Sequence, residues 1–570
     1  MRTNFQLRVR IIAAFVILFA VVLVTRLYFI QVVHGDEFSA RADRQYIQPA
    51  QNLYDRGAIF FKDRAGNLIS AATLKSGFIL TVNPGKVGNA EVAHNALEHI
   101  LPLPKEDFIK RATKANDPYE EIAQHLSEET AHAIEALDLA GIQLYKERWR
   151  YYPGGELAAS TVGFVGFREN EFSGRYGIER YYEDVLSRDD TDVYVNFFAE
   201  IFTNIGSTLF ESGYSGAGDV VTSIEPSVQA FLEEKLEEVQ RDWNSRQVAG
   251  VIIHPKTGEI YAMGVYPTFD LNNFSGEGDP AVFSNPLVEG VFELGSIIKP
   301  LTMAAGLDSG AVTRKSTYED RGRITLDGYT ISNFDGKARG RVSMQEVLNQ
   351  SLNTGAAHVA AKMGSDKFRE YFLERYRIGQ ETGIDLPNES AGLVSNLDNP
   401  RDVEYATASF GQGIAMTPMA AVRALSTLAN GGTLVTPHVG SEIRYETGLR
   451  KKISFKEGER VLSRETSEEI TRMLVEVVDK ALLDGTVALP NYSIAAKTGT
   501  AQIASPSGGY YDDRFLHSFF GYFPAYDAQF LIFFYNLEPK EVRYASQTLT
   551  HPFIDTVDFL INYYDVPPDR

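Results

Sequence analysis

The segment 292–300 reads FELGSIIKP and places a serine, Ser296, three residues before a lysine, Lys299. Proline is tolerated in the first turn of a helix but costs about 3 kcal/mol deeper in, so Pro300 predicts a helix that begins near Ser296. Residues three apart share one helix face, and the positive end of the helix dipole lowers the pKa of a nearby lysine. A neutral Lys299 amine can then accept the proton of the Ser296 hydroxyl and make it a nucleophile.

Taken alone, this motif is weak. Serine is a common helix cap, and Ser-x-x-Lys arises by chance on the order of once in a chain of this length. A second short motif, Ser351-Leu352-Asn353, is about as common as chance and also fits an ordinary polar turn. Neither motif decides between a structural and a catalytic role.

A third motif, Lys497-Thr498-Gly499-Thr500, falls in a predicted strand. Glycine weakens a strand interior unless another backbone must approach closely, and here that backbone can be an extended peptide substrate. Thr498 and Thr500 would direct hydroxyls toward a carboxylate, and Lys497 would supply positive charge. The motif therefore predicts a site for an acidic peptide end.

Taken together and in this order, the three motifs are a more specific signal than any one of them alone. They are separated by 55 and 146 residues and occupy the predicted helix, turn and strand settings. We put chance assembly in this order at under roughly 3%. The trio resembles the signature of penicillin-binding proteins and serine β-lactamases, in which the second motif is Ser-Asp-Asn.

The surrounding sequence predicts an α+β fold. Residues 219–224 form a predicted strand, and Pro226 begins a long predicted helix that reaches about Trp243. Residues 248–265 predict a β-hairpin with a turn at 256–258, and segments within 491–538 predict three antiparallel strands with short connections. We expect an antiparallel sheet flanked by helices, with a mostly helical stretch between the hairpin and the late strands.

The N-terminus predicts a membrane anchor. Residues 11–33 carry a single charge, Arg26, and as a helix of about 35 Å they would span the hydrocarbon core. A cleaved signal peptide would need a small-residue cleavage site, which this segment lacks, and a core helix is rarely so apolar. The basic residues of 1–10 predict a cytoplasmic tail, so residues 34–570 would be extracytoplasmic in a single-pass protein of the cytoplasmic membrane.

The remainder divides by texture into residues 34–218, which mix short strands, turns and helices, and residues 219–570. The resemblance implies that these parts are a mixed α/β pedestal domain and a transpeptidase domain. Within the pedestal, residues 118–137 predict helix, with a start near Ser127. Residues 195–210 predict a helix with one apolar face, which would pack on a core or contact the membrane surface.

Composition excludes several classes of protein. A formal charge of −20 disfavours binding to nucleic acid through phosphates. The absence of cysteine excludes disulfides, thiolate metal sites and cysteine nucleophiles. The histidines show no metal-ligand spacing, and no Gly-x-Ser-x-Gly elbow is present. No metal or organic cofactor is expected.

Further segments make the chain similar to class B penicillin-binding proteins over nearly its whole length. They include the pedestal-like segments 54–59, 63–68, 148–166 and 176–180, the domain entry at 222–229, and 410–413 followed by 417–418. Glu293 and the closing segment 566–570 resemble the division-type (septal) branch more than the elongation-type branch. Leu294 departs from the family, which often has proline there.

The resemblance implies a D,D-transpeptidase that cross-links peptidoglycan stem peptides through an acyl-enzyme on Ser296. Lys299 would be the general base, and Ser351 and Asn353 would relay a proton and hold the peptide. Lys497, Thr498, Gly499 and Thr500 would form the substrate-binding strand, and the N–H groups of Ser296 and Thr500 would form the oxyanion hole. β-Lactams would acylate Ser296, and a SEDS-type glycosyltransferase and other division or elongation proteins would be the partners.

Other functions remain open from sequence. A non-catalytic cell-wall scaffold or β-lactam sensor would keep the fold without turnover. An elongation-type transpeptidase would perform the same chemistry outside the septum, and a D,D-carboxypeptidase would use water as acceptor. A β-lactamase would need a deacylation base, and no convincing Glu-x-x-Leu-Asn element follows Asn353. A bifunctional class A protein would need a further catalytic domain, which residues 34–218 do not resemble.

Overall fold

The computed structural model describes residues 54–115, 117–168, 171–188, 216–456, 458–506 and 508–570. The predicted cytoplasmic tail, the predicted anchor at 11–33 and the apolar segment 195–210 lie outside these ranges. Inside them, no helix has both the length and the hydropathy needed to cross a membrane.

The strands of the described residues are β1 (Ile59–Lys62), β2 (Leu68–Val82), β3 (Glu120–Leu126), β4 (Ile142–Tyr151), β5 (Val165–Arg168), β6 (Glu171–Gly174), β7 (Gly218–Thr222), β8 (Gln247–Ile253), β9 (Ile260–Tyr266), β10 (Thr317–Asp320), β11 (Arg323–Leu326), β12 (Tyr329–Ser332), β13 (Gly340–Ser343), β14 (Thr433–Leu434), β15 (Gly440–Tyr445), β16 (Arg450–Lys452), β17 (Glu459–Arg460), β18 (Ala495–Ala504), β19 (Tyr510–Phe523) and β20 (Phe530–Leu537).

The α-helices are α1 (Ala90–Glu98), α2 (Lys105–Ala112), α3 (Glu128–Glu135), α4 (Ala159–Val162), α5 (Gly177–Tyr181), α6 (Glu183–Leu186), α7 (Pro226–Trp243), α8 (Lys299–Asp308), α9 (Met344–Asn349), α10 (Asn353–Met363), α11 (Ser365–Arg369), α12 (Asp402–Ala408), α13 (Pro418–Ala429), α14 (Arg464–Glu476), α15 (Ala545–Thr548) and α16 (Thr550–Tyr564). A 3₁₀ turn, Gly295–Ile298, runs directly into α8, and a π-helical turn, Val477–Ala481, follows α14.

The chain forms two compact units, of which the smaller includes residues 74–150. Its core joins β2 and β3 to α1, α2 and α3 through Leu80, Leu97, Phe108, Leu126 and Ile134. The helix predicted over 118–137 is correct only in its second half. Residues 120–126 instead form β3 and pair antiparallel with β2, because this pairing buries Leu126 in the core. Ser127 then caps α3, as its sequence position predicted.

The larger unit comprises residues 56–73 and 151–570. It therefore includes residues 56–73 and 151–188, which precede the boundary that we predict at 218. Its main sheet has the strand order β18-β19-β20-β8-β9, and every pairing in it is antiparallel. The predicted hairpin, the three late strands and helix 226–243 are all present at the expected positions.

Alternation along β20 builds one core on each face of this sheet. Phe530, Ile532 and Phe534 face the layer that contains α7 and α16. Their neighbours Leu531, Phe533 and Tyr535 face the opposite layer, which contains α8, α13 and α14. A strand buried on both faces reads as a continuous apolar run, as residues 530–535 do. The turn that carries Ser296 runs directly into α8, so this face of the sheet supports the helix that follows Ser296.

Candidate active site

Ser296 lies in the 3₁₀ turn that precedes α8, so the predicted helix start near this residue is confirmed. Gly295 has a φ of +64°, and its N–H donates to the carbonyl of Gly411 at 3.1 Å. A Cβ on Gly295 would lie 2.9 Å from the carbonyl oxygen of Thr500. Both the left-handed backbone and the close approach therefore require glycine at this position.

Lys299 is buried behind the serine turn, with 1% of its surface exposed. Its Nζ donates to the carbonyl of Ser351 at 2.6 Å and to Oδ1 of Asn353 at 2.7 Å, and it lies 3.1 Å from Oγ of Ser351. Burial, reinforced by the charge of Lys497, lowers the pKa of Lys299 well below its usual range. The structure thus brings Lys299 together with both polar residues of the second motif.

The second motif stands at the start of α10. Ser351 has a φ of +53°, and Asn353 is the first helical residue. The side-chain amide of Asn353 donates to the carbonyl of Ser332 at 2.9 Å, which turns its Oδ1 toward Lys299. A buried network next to the motif holds this orientation.

That network was missed by sequence reasoning. The hydroxyl of Thr354 donates to Oδ1 of Asp320 at 2.8 Å, and its N–H donates to Oδ1 of Asn333 at 3.2 Å. Asn333 in turn donates from Nδ2 to Asp320 at 3.0 Å. These residues lie 13 to 34 positions apart, and no short motif links them.

The third motif lies on β18, at the edge of the main sheet. Lys497 is 3% exposed, and burial lowers its pKa to about 8. Its Nζ donates to the carbonyl of Thr498 at 3.0 Å. The hydroxyl of Thr500 accepts from the N–H of Ala545 at 3.1 Å. An edge strand leaves backbone groups available for an added strand.

Close packing against the turn that carries Ser296 requires glycine at position 499. A Cβ on this residue would lie 2.3 Å from Oγ of Ser518 and 2.7 Å from the carbonyl oxygen of Leu294. We expected a substrate backbone to explain the glycine, but the backbone that approaches it is that of Leu294. Ser518, opposite Gly499 in the sheet, donates to this same carbonyl at 2.7 Å and so fixes the turn to the strands.

A cavity of about 950 Å³ opens over these elements. Six of the eight predicted site residues line it: Ser296, Ser351, Asn353, Lys497, Thr498 and Thr500. The other two, Lys299 and Gly499, lie behind the cavity wall in the contacts described above. The three motifs, far apart in the chain, therefore meet at one place.

One further contact at the serine turn was not predicted. Oε1 of Glu293 accepts from the N–H of Gly413 at 3.0 Å and from the hydroxyl of Tyr510 at 3.1 Å. Burial raises the pKa of Glu293. Tyr510 also lines the cavity, so this carboxyl joins the first residue of β19 to the segment before Ser296.

Two family models match the chain. The penicillin-binding protein transpeptidase domain matches residues 248–557, and the penicillin-binding protein dimerisation domain matches residues 53–197. The first match alone covers more than half of the chain and contains all eight predicted site residues.

Similar proteins match over most of the chain. Stage V sporulation protein D of Bacillus subtilis is 30% identical, across 97% of this chain and 85% of that protein. Peptidoglycan D,D-transpeptidase FtsI of Escherichia coli is 25% identical, across 94% and 88%. The structure of penicillin-binding protein 3 of Mycobacterium tuberculosis complexed with aztreonam has a TM-score of 0.68 at 22% identity, across 91% of this chain and 98% of that one.

The last of these similarities shows a common fold, and the first extends the family relationship to nearly the full length. A match to a transpeptidase domain thus follows a match to a dimerisation domain along the chain. The chain belongs to the class B penicillin-binding proteins.

Proposed function

We propose that the chain is a peptidoglycan D,D-transpeptidase with Ser296 as nucleophile and Lys299 as general base. The observation that carries the proposal is the buried Lys299 amine, one helical turn from Ser296, with its pKa lowered by burial. The lowered pKa increases the fraction of Lys299 that is a neutral amine, the form that can accept a proton, relative to an ordinary surface lysine.

In the acylation step, Oγ of Ser296 attacks the carbonyl of the penultimate D-Ala and passes its proton to Nζ of Lys299. The C–N bond then breaks, and the leaving D-Ala amine takes a proton that Ser351 relays from Lys299. The product is an ester on Ser296 and free D-Ala. The 3.1 Å separation between Nζ of Lys299 and Oγ of Ser351 supports this relay.

In the second step, an amine of a neighbouring stem peptide attacks the ester. A new amide forms, the ester C–O bond breaks, and the amine proton returns through Lys299 to Oγ of Ser296. Asn353, oriented by Ser332, would hold both Lys299 and the peptide amide of the donor.

The carboxylate end of the donor would bind Lys497, Thr498 and Thr500. Backbone N–H groups of Ser296 and Thr500 would stabilise the oxyanion, an interaction typically worth about 3–4 kcal/mol for each donor. The close packing of Gly295 on the carbonyl of Thr500 supports this pairing of turn and strand. β-Lactams would acylate Ser296 as mimics of the same peptide end.

At the level of the cell, we propose a role in septal wall synthesis. Glu293 and the closing segment 566–570 support the division-type branch. Residues 11–33 would anchor the chain in the cytoplasmic membrane with residues 34–218 as pedestal and 219–570 as transpeptidase domain outside. A SEDS-type glycosyltransferase would be the partner of anchor and pedestal. A fluorescent fusion should concentrate at division sites; uniform labelling of the lateral wall would contradict the septal role.

The test of the chemistry is covalent labelling by a fluorescent penicillin. Wild type should be labelled, whereas Ser296→Ala should not be and Lys299→Ala should react at least a hundredfold more slowly. Labelling of Ser296→Ala would show that another serine is the nucleophile, and an unlabelled wild type would favour the scaffold. Release of D-Ala with and without an added acceptor amine then separates transpeptidase from carboxypeptidase.

A further inference from the structure

The cavity is lined by positive charge, although the chain as a whole is acidic. Among the described residues that line it, the charged ones are Lys497 and Arg543, both cationic, and none is acidic. The whole chain, by contrast, has a net charge of −20. A cavity whose charge opposes that of its protein attracts anionic ligands.

Arg543 has no role in the chemistry proposed above. It is exposed, and its guanidinium lies 5.7 Å from the centre of the Tyr544 ring. In the described part of the chain, no carboxylate forms an ion pair with it, whereas arginines 375, 401 and 444 each pair with a glutamate. A planar guanidinium presents a fork of donors that matches a carboxylate, and stacking on an aromatic ring reduces its freedom in advance.

The backbone that carries Arg543 is fixed to the sheet. Nε2 of the fully buried His517 lies 3.1 Å from the carbonyl of Arg543, and its Nδ1 lies 2.9 Å from Oγ1 of Thr548. Ala545 donates to Thr500 from the same segment. Arg543 is therefore held beside the Thr500 end of the substrate-binding strand.

Lys497 belongs to this strand, whereas the segment that carries Arg543 meets the strand at Thr500. His517 is the cross-strand partner of Thr500, and Thr500 lies three residues beyond Lys497, roughly 10 Å at the rise of an antiparallel strand. One extended ligand can thus place its terminal carboxylate at Lys497 and a second anionic group at Arg543.

We propose that Arg543 binds a second carboxylate of the donor stem peptide, located before its D-Ala-D-Ala end. This inference rests on the proposed transpeptidase function and deepens it. Arg543 would then be a specificity-determining residue that favours donors in which this carboxylate is free over donors in which it is amidated.

Two penicillins that differ by one carboxylate test the assignment. Carbenicillin is benzylpenicillin with an added side-chain carboxylate, so the second-order acylation rate constants of both are measured for wild type, Arg543→Gln and Arg543→Lys. Arg543→Gln should slow carbenicillin about fivefold relative to benzylpenicillin, as expected for a partly solvated ion pair, and Arg543→Lys should slow it less.

Arg514→Gln is the matched control, because Arg514 lies 4.4 Å from the Tyr511 ring and does not line the cavity. Equal slowing of both penicillins by Arg543→Gln, or the same discrimination in Arg514→Gln, would overturn the assignment.

A second measurement does not depend on acyl transfer. In a Ser296→Ala background, a stem peptide with a free carboxylate before its D-Ala-D-Ala end should bind about fivefold more tightly than its amidated form, and Arg543→Gln should remove this difference. If penicillins fail to acylate wild type but this discrimination persists, only the transpeptidase function fails. If acylation occurs and peptide discrimination is absent, only the role of Arg543 fails.

Discussion

The α-carbon of Gly499 faces the carbonyl of Leu294 so closely that a Cβ would lie 2.7 Å from its oxygen. The backbone of the strand that would bind the substrate therefore lies directly against the backbone of the turn that carries Ser296. Ser518 reinforces the contact by donating to the same carbonyl. Any side chain inserted between them must displace the serine turn.

Gly499→Ala should accordingly impair both stability and acylation. Its Cβ meets backbone and the Ser518 hydroxyl rather than the end of a flexible side chain, so we expect a loss of about 1–3 kcal/mol in the free energy of unfolding. Urea unfolding and penicillin labelling measure the two effects. Gly276→Ala, whose Cβ meets nothing within 4 Å, should leave both unchanged. Wild-type labelling by Gly499→Ala would contradict the contact.

The pH dependence of acylation should have two limbs. Only the neutral amine of Lys299 can accept a proton, so the rate constant should rise with pH through the lowered pKa of Lys299. It should fall as pH rises through about 8, where Lys497 loses the charge that attracts the penicillin carboxylate. Second-order acylation rate constants measured from pH 5 to 10 check both limbs.

Lys497→Arg separates the two limbs. Arginine keeps its charge above pH 8, so the descending limb should move to higher pH while the ascending limb stays in place. Lys540→Arg, on an exposed side chain, serves as the control and should leave the profile unchanged. If the rate constant of Lys497→Arg still fell near pH 8, a group other than Lys497 would be responsible for the descending limb.

Thr354→Val should loosen the second motif. The substitution removes the hydroxyl that donates to Asp320 and leaves this buried carboxylate one donor short, at an expected cost of about 1–3 kcal/mol. Acylation should slow as well, because Thr354 follows Asn353 directly. Thermal unfolding and labelling rates measure the effects. Thr325→Val, at an exposed strand position, should change neither. Unaltered stability of Thr354→Val would show that the network carries little energy.

Glu293→Gln should alter stability in a pH-dependent way. The pKa of Glu293 is raised by burial. Its favourable contribution to the free energy of unfolding is therefore present below the pKa of the unfolded state and is lost as the pH rises through the pKa of the folded state. The glutamine variant should therefore gain stability relative to wild type between pH 4.5 and pH 8. Urea unfolding at both values gives the difference, and exposed Glu277→Gln should show none. The prediction would be contradicted if Glu293→Gln instead lost stability relative to wild type as the pH rises.

Sequence reasoning succeeded where structure is determined locally. Pro226 marks the start of α7, and the segment that contains the apolar run 530–535 was predicted as a strand and forms β20. The three motifs were recognisable because each is a few residues long. The helix prediction failed over 120–126, where pairing with β2 outweighs the local pattern.

Long-range contacts account for what sequence could not predict. Glu293 and Tyr510 are 217 residues apart, and Ser518 meets Leu294 across 224 residues. Neither pair has a spacing that marks it in the chain. The reason for glycine at position 499 was likewise hidden, because the backbone that approaches it belongs to a distant turn.

The strand order of the main sheet also bears on how the protein matures. β18, which carries Lys497, reaches the early strands β8 and β9 only through β19 and β20. Such high contact order slows folding, and a chain synthesised only as far as residue 504 would lack the two strands that join β18 to the rest of the sheet. Reactivity with penicillin should therefore emerge late and abruptly, as the closing step of folding, and would report completion of the domain rather than its gradual assembly.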